Sequence, residues 1–160
     1  MSSEGFTTCL WFDGQAEEAA DFYVSVFKNS RLGRVGRTTD AGPGPAGSVL
    51  TVEFVANGQK FVALNGGPQF TFTEAVSFQI FCDDQSEVDH YWNRLTDGGG
   101  EGGPCGWLKD RFGLSWQVVP SRLIDMVTDP DQEKAARATQ AMLSMGKLDI
   151  AALEKAYAGE

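Results

Sequence analysis

Few side chains in this sequence can do chemistry, and their spacing narrows the options. Glu53 is the first candidate for acid or base work, because a carboxylate on a strand facing an aromatic cavity would lose hydration. The alternatives are a carboxylate paired with an arginine, or one joined to Gln117 in a hydrogen-bond network. Cys9, Cys82 and Cys105 are an odd set with no CxxC spacing, which argues against a disulfide scaffold and against a thiolate zinc site. Cys9 can serve as a nucleophile only beside a base, and the single histidine, His90, falls on a helix next to Tyr91, apart from the strands. Trp11, Phe70, Phe72 and Phe81 can either wall a pocket for a flat apolar molecule or serve as core and hairpin packing. The glycine-rich stretches 42–47 and 98–103 match neither GxxxxGK[ST] nor GxGxxG between strand and helix, so they read as lids or connectors.

The elements that must position these residues come in two similar runs. Residues 7–12 form a short strand closed by Asp13-Gly14, and a helix follows with Ala16, Ala19, Ala20, Tyr23 and Phe27 on one face. Strands over 32–38, 48–56 and 59–64 come next, the last two joined by Asn57-Gly58, a strong hairpin signal. The order then repeats: a strand over 76–82 ending in Asp83-Asp84, a helix over 86–95 in which Ser86 and Asp89 resemble a capping box, and a hairpin of strands 105–108 and 114–119 around Asp110-Arg111-Phe112-Gly113. Asp13 and Asp83 lie 70 positions apart, the offset of an internal duplication. In the tail, Asp129-Pro130 predicts a helix start, Gly146 its end, and Asp149 the cap of a last helix carrying Ile150, Leu153 and Tyr157 inward.

Composition sets the class. The 160 residues are 42% hydrophobic and 22% charged, suited to one globular fold, and the net charge of −9 disfavours nucleic acid or anionic lipid as partners. No apolar run reaches the roughly 20 residues of a membrane span, and the start of the chain has no basic, apolar leader, so a cytoplasmic protein is expected. Met142, Met145, Leu148 and Leu153 offer apolar surface in the tail and curled sheets leave edges needing cover, so a homodimer that uses the tail or the sheet edges is expected.

A tandem βαβββ duplication resembles the vicinal oxygen chelate superfamily of glyoxalase, bleomycin-resistance and extradiol-dioxygenase proteins. Within it, Trp11-Phe12-Asp13-Gly14, the run Ala20 to Phe27, the stretch Gly106 to Pro120 and the terminal Ala141 to Ile150 are similar to the PhnB-like branch, many of whose members bear the label demethylubiquinone methyltransferase. The resemblance implies an α+β fold in which tandem βαβββ modules form a curled-sheet cavity, followed by a helical tail, with divisions at 1–67, 68–122 and 123–160. It implies that the metal-ligand positions are Thr7, Glu53, Ser77 and Gln117. Of these only Glu53 is a strong ligand, so no metal and no cofactor are expected. Alternation, with the more apolar side of each strand packed on helices, turns Thr7, Cys9, Trp11, Glu53, Ser77, Gln79, Phe81 and Gln117 toward the cavity as ligand-binding residues, with Ser115 and Val119 on the same face as Gln117, and the duplication matches Glu53 with Gln117 across the pocket. The expected function is binding of a small organic molecule. Two alternatives stand beside it: methyl transfer to a demethylated quinone, as the label suggests, and non-catalytic sequestration like that of drug-resistance members.

Overall fold

The computed structural model describes residues 5–160 and is a mixed α+β structure with two four-stranded sheets and five helices. The chain divides between Thr71 and Phe72 into two compact units. In the first, β1 (Thr8–Phe12) leads into α1 (Ala16–Val26), and β2 (Arg31–Arg37), β3 (Val49–Ala56) and β4 (Gln59–Asn65) complete a sheet of order β1-β4-β3-β2. β1 runs parallel to β4, while β2, β3 and β4 are antiparallel neighbours. The expected hairpin forms: Asn57 and Gly58 both adopt positive φ, 51° and 78°, as a tight two-residue turn matching strand twist requires. Leu10, Phe12, Val52, Phe54, Phe61 and Ala63 are buried together with Ala16, Ala19, Tyr23 and Val26 of α1. Tyr23, Phe54 and Phe61 stack in sequence, at 6.0 and 5.2 Å between ring centroids. One face of the sheet is thereby committed to core, as the alternation predicts.

The second unit repeats the topology with β5 (Ser77–Cys82), α2 (Gln85–Thr96), β6 (Glu101–Gly102), β7 (Trp107–Lys109) and β8 (Ser115–Pro120) in the order β5-β8-β7-β6. Its helix-facing core holds Ile80, Cys82, Leu108, Trp116 and Val118 with Val88, Tyr91 and Leu95. Residues 98–103, read as a connector, contain β6, a strand too short for any periodicity to reveal. The α2 cap also differs from the expected Ser86-Asp89 pair. Asp84 is the N-cap and accepts from the Glu87 amide at 2.9 Å, while the Glu87 carboxylate reaches back to the amide of Asp83.

Three further helices belong to this unit: α3 (Ser121–Val127), α4 (Gln132–Leu143) and α5 (Ile150–Ala158). The sequence reading assigns nothing to 121–127, because Pro120 reads as a stop, yet its fixed φ of −58° leads directly into α3. The expected Asp129-Pro130 start moves to Asp131, whose carboxylate accepts from Glu133 and Lys134, and α4 ends at Leu143, before Gly146. Asp149 caps α5 as predicted, accepting from Ala152. Val119, Leu123, Met126, Ala138, Leu148 and Leu153 form one buried cluster, with Met142, Met145 and Tyr157 packed against it. The apolar surface of Met142, Met145, Leu148 and Leu153 is therefore largely consumed within the chain. No helix of the described residues is long and apolar enough to cross a membrane.

Candidate functional site

Strand register places the candidate residues on the sheet faces opposite the helices. In the first unit Cys9 lies beside Val62 and Val62 beside Glu53, forming one row; Trp11, Leu64 and Thr51 form the next. Thr7 precedes β1 and is exposed. Glu53 is half-exposed, and its Oε2 lies 3.6 Å from the Arg34 Nε. That matches the arginine-paired alternative. Cys9 and Glu53 are two strand spacings apart, roughly 9–10 Å, too far to share one ion. Loss of hydration raises the Cys9 thiol above its ordinary value, which keeps it protonated and poorly nucleophilic. Trp11 is pinned: its indole donates to the Gly67 carbonyl at 2.8 Å, and its ring meets Phe70 edge-on at 4.9 Å. A Cβ on Gly66 would sit 2.4 Å from that ring, so the indole is fastened to the 66–70 segment.

The second unit brings its candidates into contact. Ser77, Ser115 and Lys109 form one row, Gln79, Gln117 and Trp107 the next, and Phe81 lies beside Val119. Gln117 donates from Nε2 to the Ser77 hydroxyl at 2.8 Å, and its Oε1 accepts from Gln79 at 3.4 Å. Phe81 is 52% exposed, whereas Val119, expected on the open face, is covered by the helical cluster. Next to the amide network lies a cavity of about 400 Å³ whose wall includes Glu74, Glu101, Trp107, Lys109 and Ser115. Lys109 Nζ and Glu74 Oε1 form a close ion pair, and that hydrogen bond first, then their mutual charge, lifts the lysine above its ordinary value. The same bond lowers the Glu74 carboxyl, so both stay ionised across the ordinary pH range.

The duplication relates these faces differently from the sequence reading, which matched Glu53 with Gln117. By strand order β3 corresponds to β7 and β4 to β8, so Glu53 corresponds to Trp107, and Gln117 to Val62. The offset of 70 holds from Cys9 to Gln79 but falls to 55 from Val62 to Gln117, because the second copy has much shorter strands in between.

Asp110 escaped the sequence reading as more than a loop residue. It is 2% exposed; Oδ1 accepts from the amides of Phe112 and Leu114 at 2.9 and 3.1 Å, and Oδ2 from the Trp116 indole at 2.9 Å. It fixes the β7–β8 turn and so sets where Ser115 and Gln117 emerge. An aspartate opening a four-residue turn, six positions before a strand tryptophan, is the signal that could have revealed it.

The resemblance implies metal-ligand positions, and the donor set tests the fit. Among the described residues no three of His, Cys, Asp or Glu cluster. The second unit's network offers two neutral amides and a hydroxyl already bonded to one another, and Glu53 faces a guanidinium. These groups do not suit a transition metal, which takes imidazole, thiolate or carboxylate at most corners.

The family model for 3-demethylubiquinone-9 3-methyltransferase matches residues 4–119. No curated protein matches the chain. Among solved structures, a PhnB protein of Bacillus cereus bearing the same methyltransferase name is 34% identical, with a TM-score of 0.65 over 74% of this chain and 100% of its own. PA1353 of Pseudomonas aeruginosa is 22% identical, with a TM-score of 0.58 over 71% of this chain and 95% of its own. The fosfomycin resistance protein FosX of Mesorhizobium loti is 14% identical, with a TM-score of 0.52 over 72% and 90% of the two chains. These last two share the fold alone. With the tandem topology and a match over residues 4–119, the chain belongs to the 3-demethylubiquinone-9 3-methyltransferase (PhnB) family of the vicinal oxygen chelate fold.

Proposed function

We propose that this protein binds a small organic molecule on the open face of its second sheet, without a transition metal in the site. The observation that carries the reading is the uncovered Ser77, Gln117 and Gln79 network beside a cavity of about 400 Å³. Amide and hydroxyl groups there offer both donors and acceptors, and Trp107 supplies an apolar wall, the usual composition of a small-molecule site. The original candidates Thr7, Cys9, Trp11, Glu53 and Phe81 take secondary places in this reading, and Glu53 has no catalytic part in it. The family name and the FosX likeness suggest a demethylated quinone and an antibiotic as ligands to try. A thermal-shift series with quinones, S-adenosylmethionine, aromatic antibiotics and divalent metals tests the proposal, since a ligand of the folded state raises the midpoint. An organic ligand whose stabilisation disappears in Gln117→Ala, with metal analysis showing far less than one equivalent, is the expected result. A midpoint raised only by metal, or near-equimolar metal retained after dialysis, would overturn it.

A homodimer formed through the sheet edges is part of the same proposal. Leu32 and Val35 are exposed on the edge strand β2, as is Phe81 on the edge strand β5. Uncovered apolar edges favour pairing with another copy. Light scattering should give twice 17.3 kDa; a monomer mass at tens of micromolar removes this part.

A further inference from the structure

We infer that the cavity beside the amide network selects an aromatic molecule carrying a single positive charge, held by Trp107, Ser115 and Glu101. The inference rests on the binding reading above and adds the chemical class. Ser115 is 1% exposed, lines the cavity, and its Oγ has no hydrogen-bond partner among the described residues. A buried hydroxyl without a partner is costly to the fold, so one in a cavity wall is a group awaiting a ligand atom. Its in-register neighbours on the same face are Ser77 and Lys109, which join the cavity to the amide network.

Charge sets the ligand's sign. Two carboxylates, Glu74 and Glu101, line the cavity against one ammonium, Lys109. Lys109 pairs with Glu74 and also feels the charge of Glu101, so the lining keeps a net excess of one carboxylate, with Glu101 the one not hydrogen-bonded to the ammonium. A carboxylate or phosphate would meet that excess negative charge, while Lys109, the one cation of the lining among the described residues, is already paired. The indole of Trp107 favours a flat ring, and its face also attracts an organic cation. An aryl ammonium satisfies all three features: the ring rests on Trp107, and the N–H groups donate to Glu101 and to the Ser115 hydroxyl.

The depressions on the helical tail carry no such argument. The one of about 450 Å³ is bordered by Arg137, whose guanidinium already donates to the carbonyls of Ala156 and Tyr157.

The test uses the whole protein and three matched probes, 1-naphthylmethylammonium, 1-naphthalenemethanol and 1-naphthoate, titrated by calorimetry and by amide and indole NMR shifts. The ammonium should bind about five- to tenfold tighter than the alcohol, and the naphthoate more weakly than either. Glu101→Gln should erase the preference for ammonium over alcohol. Trp107→Leu should weaken both by about tenfold. Ser115→Ala should weaken the ammonium several-fold while leaving the melting temperature unchanged or raised, because it deletes an unpaired buried hydroxyl. Equal binding of the three probes, tighter naphthoate, or no binding at millimolar concentration would overturn the inference. Shifts confined to the Gln79 and Gln117 side-chain amides would overturn it while leaving the broader binding reading standing. A quinone that binds through those amides, with no effect of Glu101→Gln, would do the same.

Discussion

The two sheets share one topology and have diverged on their open faces. In the first, β2 and β3 are seven and eight residues long, and the face carries a neutralised carboxylate, a protonated thiol and an indole tied down by Gly67 and Phe70. In the second, the corresponding β6 and β7 are two and three residues long. Shortening those strands removes backbone that would otherwise extend the sheet, and a cavity lined by Trp107, Lys109 and Ser115 lies alongside. Three added helices bury the far end of β8. The comparison teaches that one copy has kept its hydrogen bonds internal, while the other holds an unpaired Ser115 hydroxyl and an amide network open to one side.

The largest expected effect comes from the helical cluster that only the second unit has. Leu148→Ala removes a fully buried side chain amid Val119, Met126 and Leu153, and should cost about 3 kcal/mol in denaturant unfolding. If the cluster is a detachable appendage, the loss will leave the core of the second sheet protected against amide exchange. If it is integral, as Cys105 N–H to Met145 O and Gly106 N–H to Gly146 O indicate, β7 and β8 amides lose protection together with α4 and α5.

Asp110→Ala comes next. It strands the buried Leu114 amide, the part-buried Phe112 amide and the Trp116 indole, with an expected cost of about 2–4 kcal/mol. In the first unit the side-chain tie is Asn65, which accepts from the Ala16 amide and donates to the Val49 carbonyl. Asn65→Ala breaks two neutral bonds in a part-buried place and should cost about 1–2 kcal/mol. Equal losses would mean that the two copies are braced alike.

Gly66→Ala probes the other side of the contrast. Its Cβ would overlap the Trp11 ring, so the indole must move and lose its bond to Gly67, at about 1–3 kcal/mol. An unchanged melting temperature with altered Trp fluorescence would show that Trp11 swings freely and is available to a ligand.

How far the sequence carried these features depends on their length scale. Repeated order, the Asn57-Gly58 turn and the Asp149 cap are local signals, and each was legible. Helix starts were not fixed where two capping residues compete: Asp84 and Ser86, and Asp129 and Asp131, all suit an N-cap, and tertiary packing selects one. The site was less legible, because the counterpart of a residue depends on strand order. A shortened β6 inside Gly98 to Gly103 hid one strand and shifted the pairing of Glu53 from Trp107 to Gln117. Alternation puts Ser115 on the face of Gln117, but its burial, and the places of Lys109 and Asp110 beside it, come from packing and register that no single position announces.

A smaller effect separates the units by pH. Asp89 of α2 meets Lys147 at 2.8 Å, and that hydrogen bond, with a second from Gln85, holds its carboxyl below the ordinary value. A lowered carboxyl stabilises the fold at pH values above its unfolded value near 4, and the contribution fades as pH falls through the native one. Stability measured from pH 5 to pH 2 should therefore fall less steeply in Asp89→Asn than in the wild type. Both side chains are exposed, so the difference is small and should shrink further in high salt. An identical slope would show that the Asp89–Lys147 contact does not help to hold the tail.

The smallest change is expected at Glu53, the residue that looked most chemical in the sequence. Its carboxylate is half-exposed, and its Arg34 partner is more exposed still, at 3.6 Å. Hydrated pairs of that kind are worth between nothing and about 1 kcal/mol, so Glu53→Gln should move stability by less than about 0.5 kcal/mol. A buried pair would behave differently: removing one charge would strand the other and cost several kcal/mol. The same variant also decides between the two faces as ligand sites. If binding belongs to the second sheet, Glu53→Gln leaves the affinity for 1-naphthylmethylammonium unchanged while Glu101→Gln lowers it. Loss of affinity in Glu53→Gln, with stability intact, would return the first sheet to the site and undo the contrast between the copies. A large loss of stability would instead mean that Glu53 is shielded from water by something beyond its own sheet, and the half-exposed pair with Arg34 would no longer describe it.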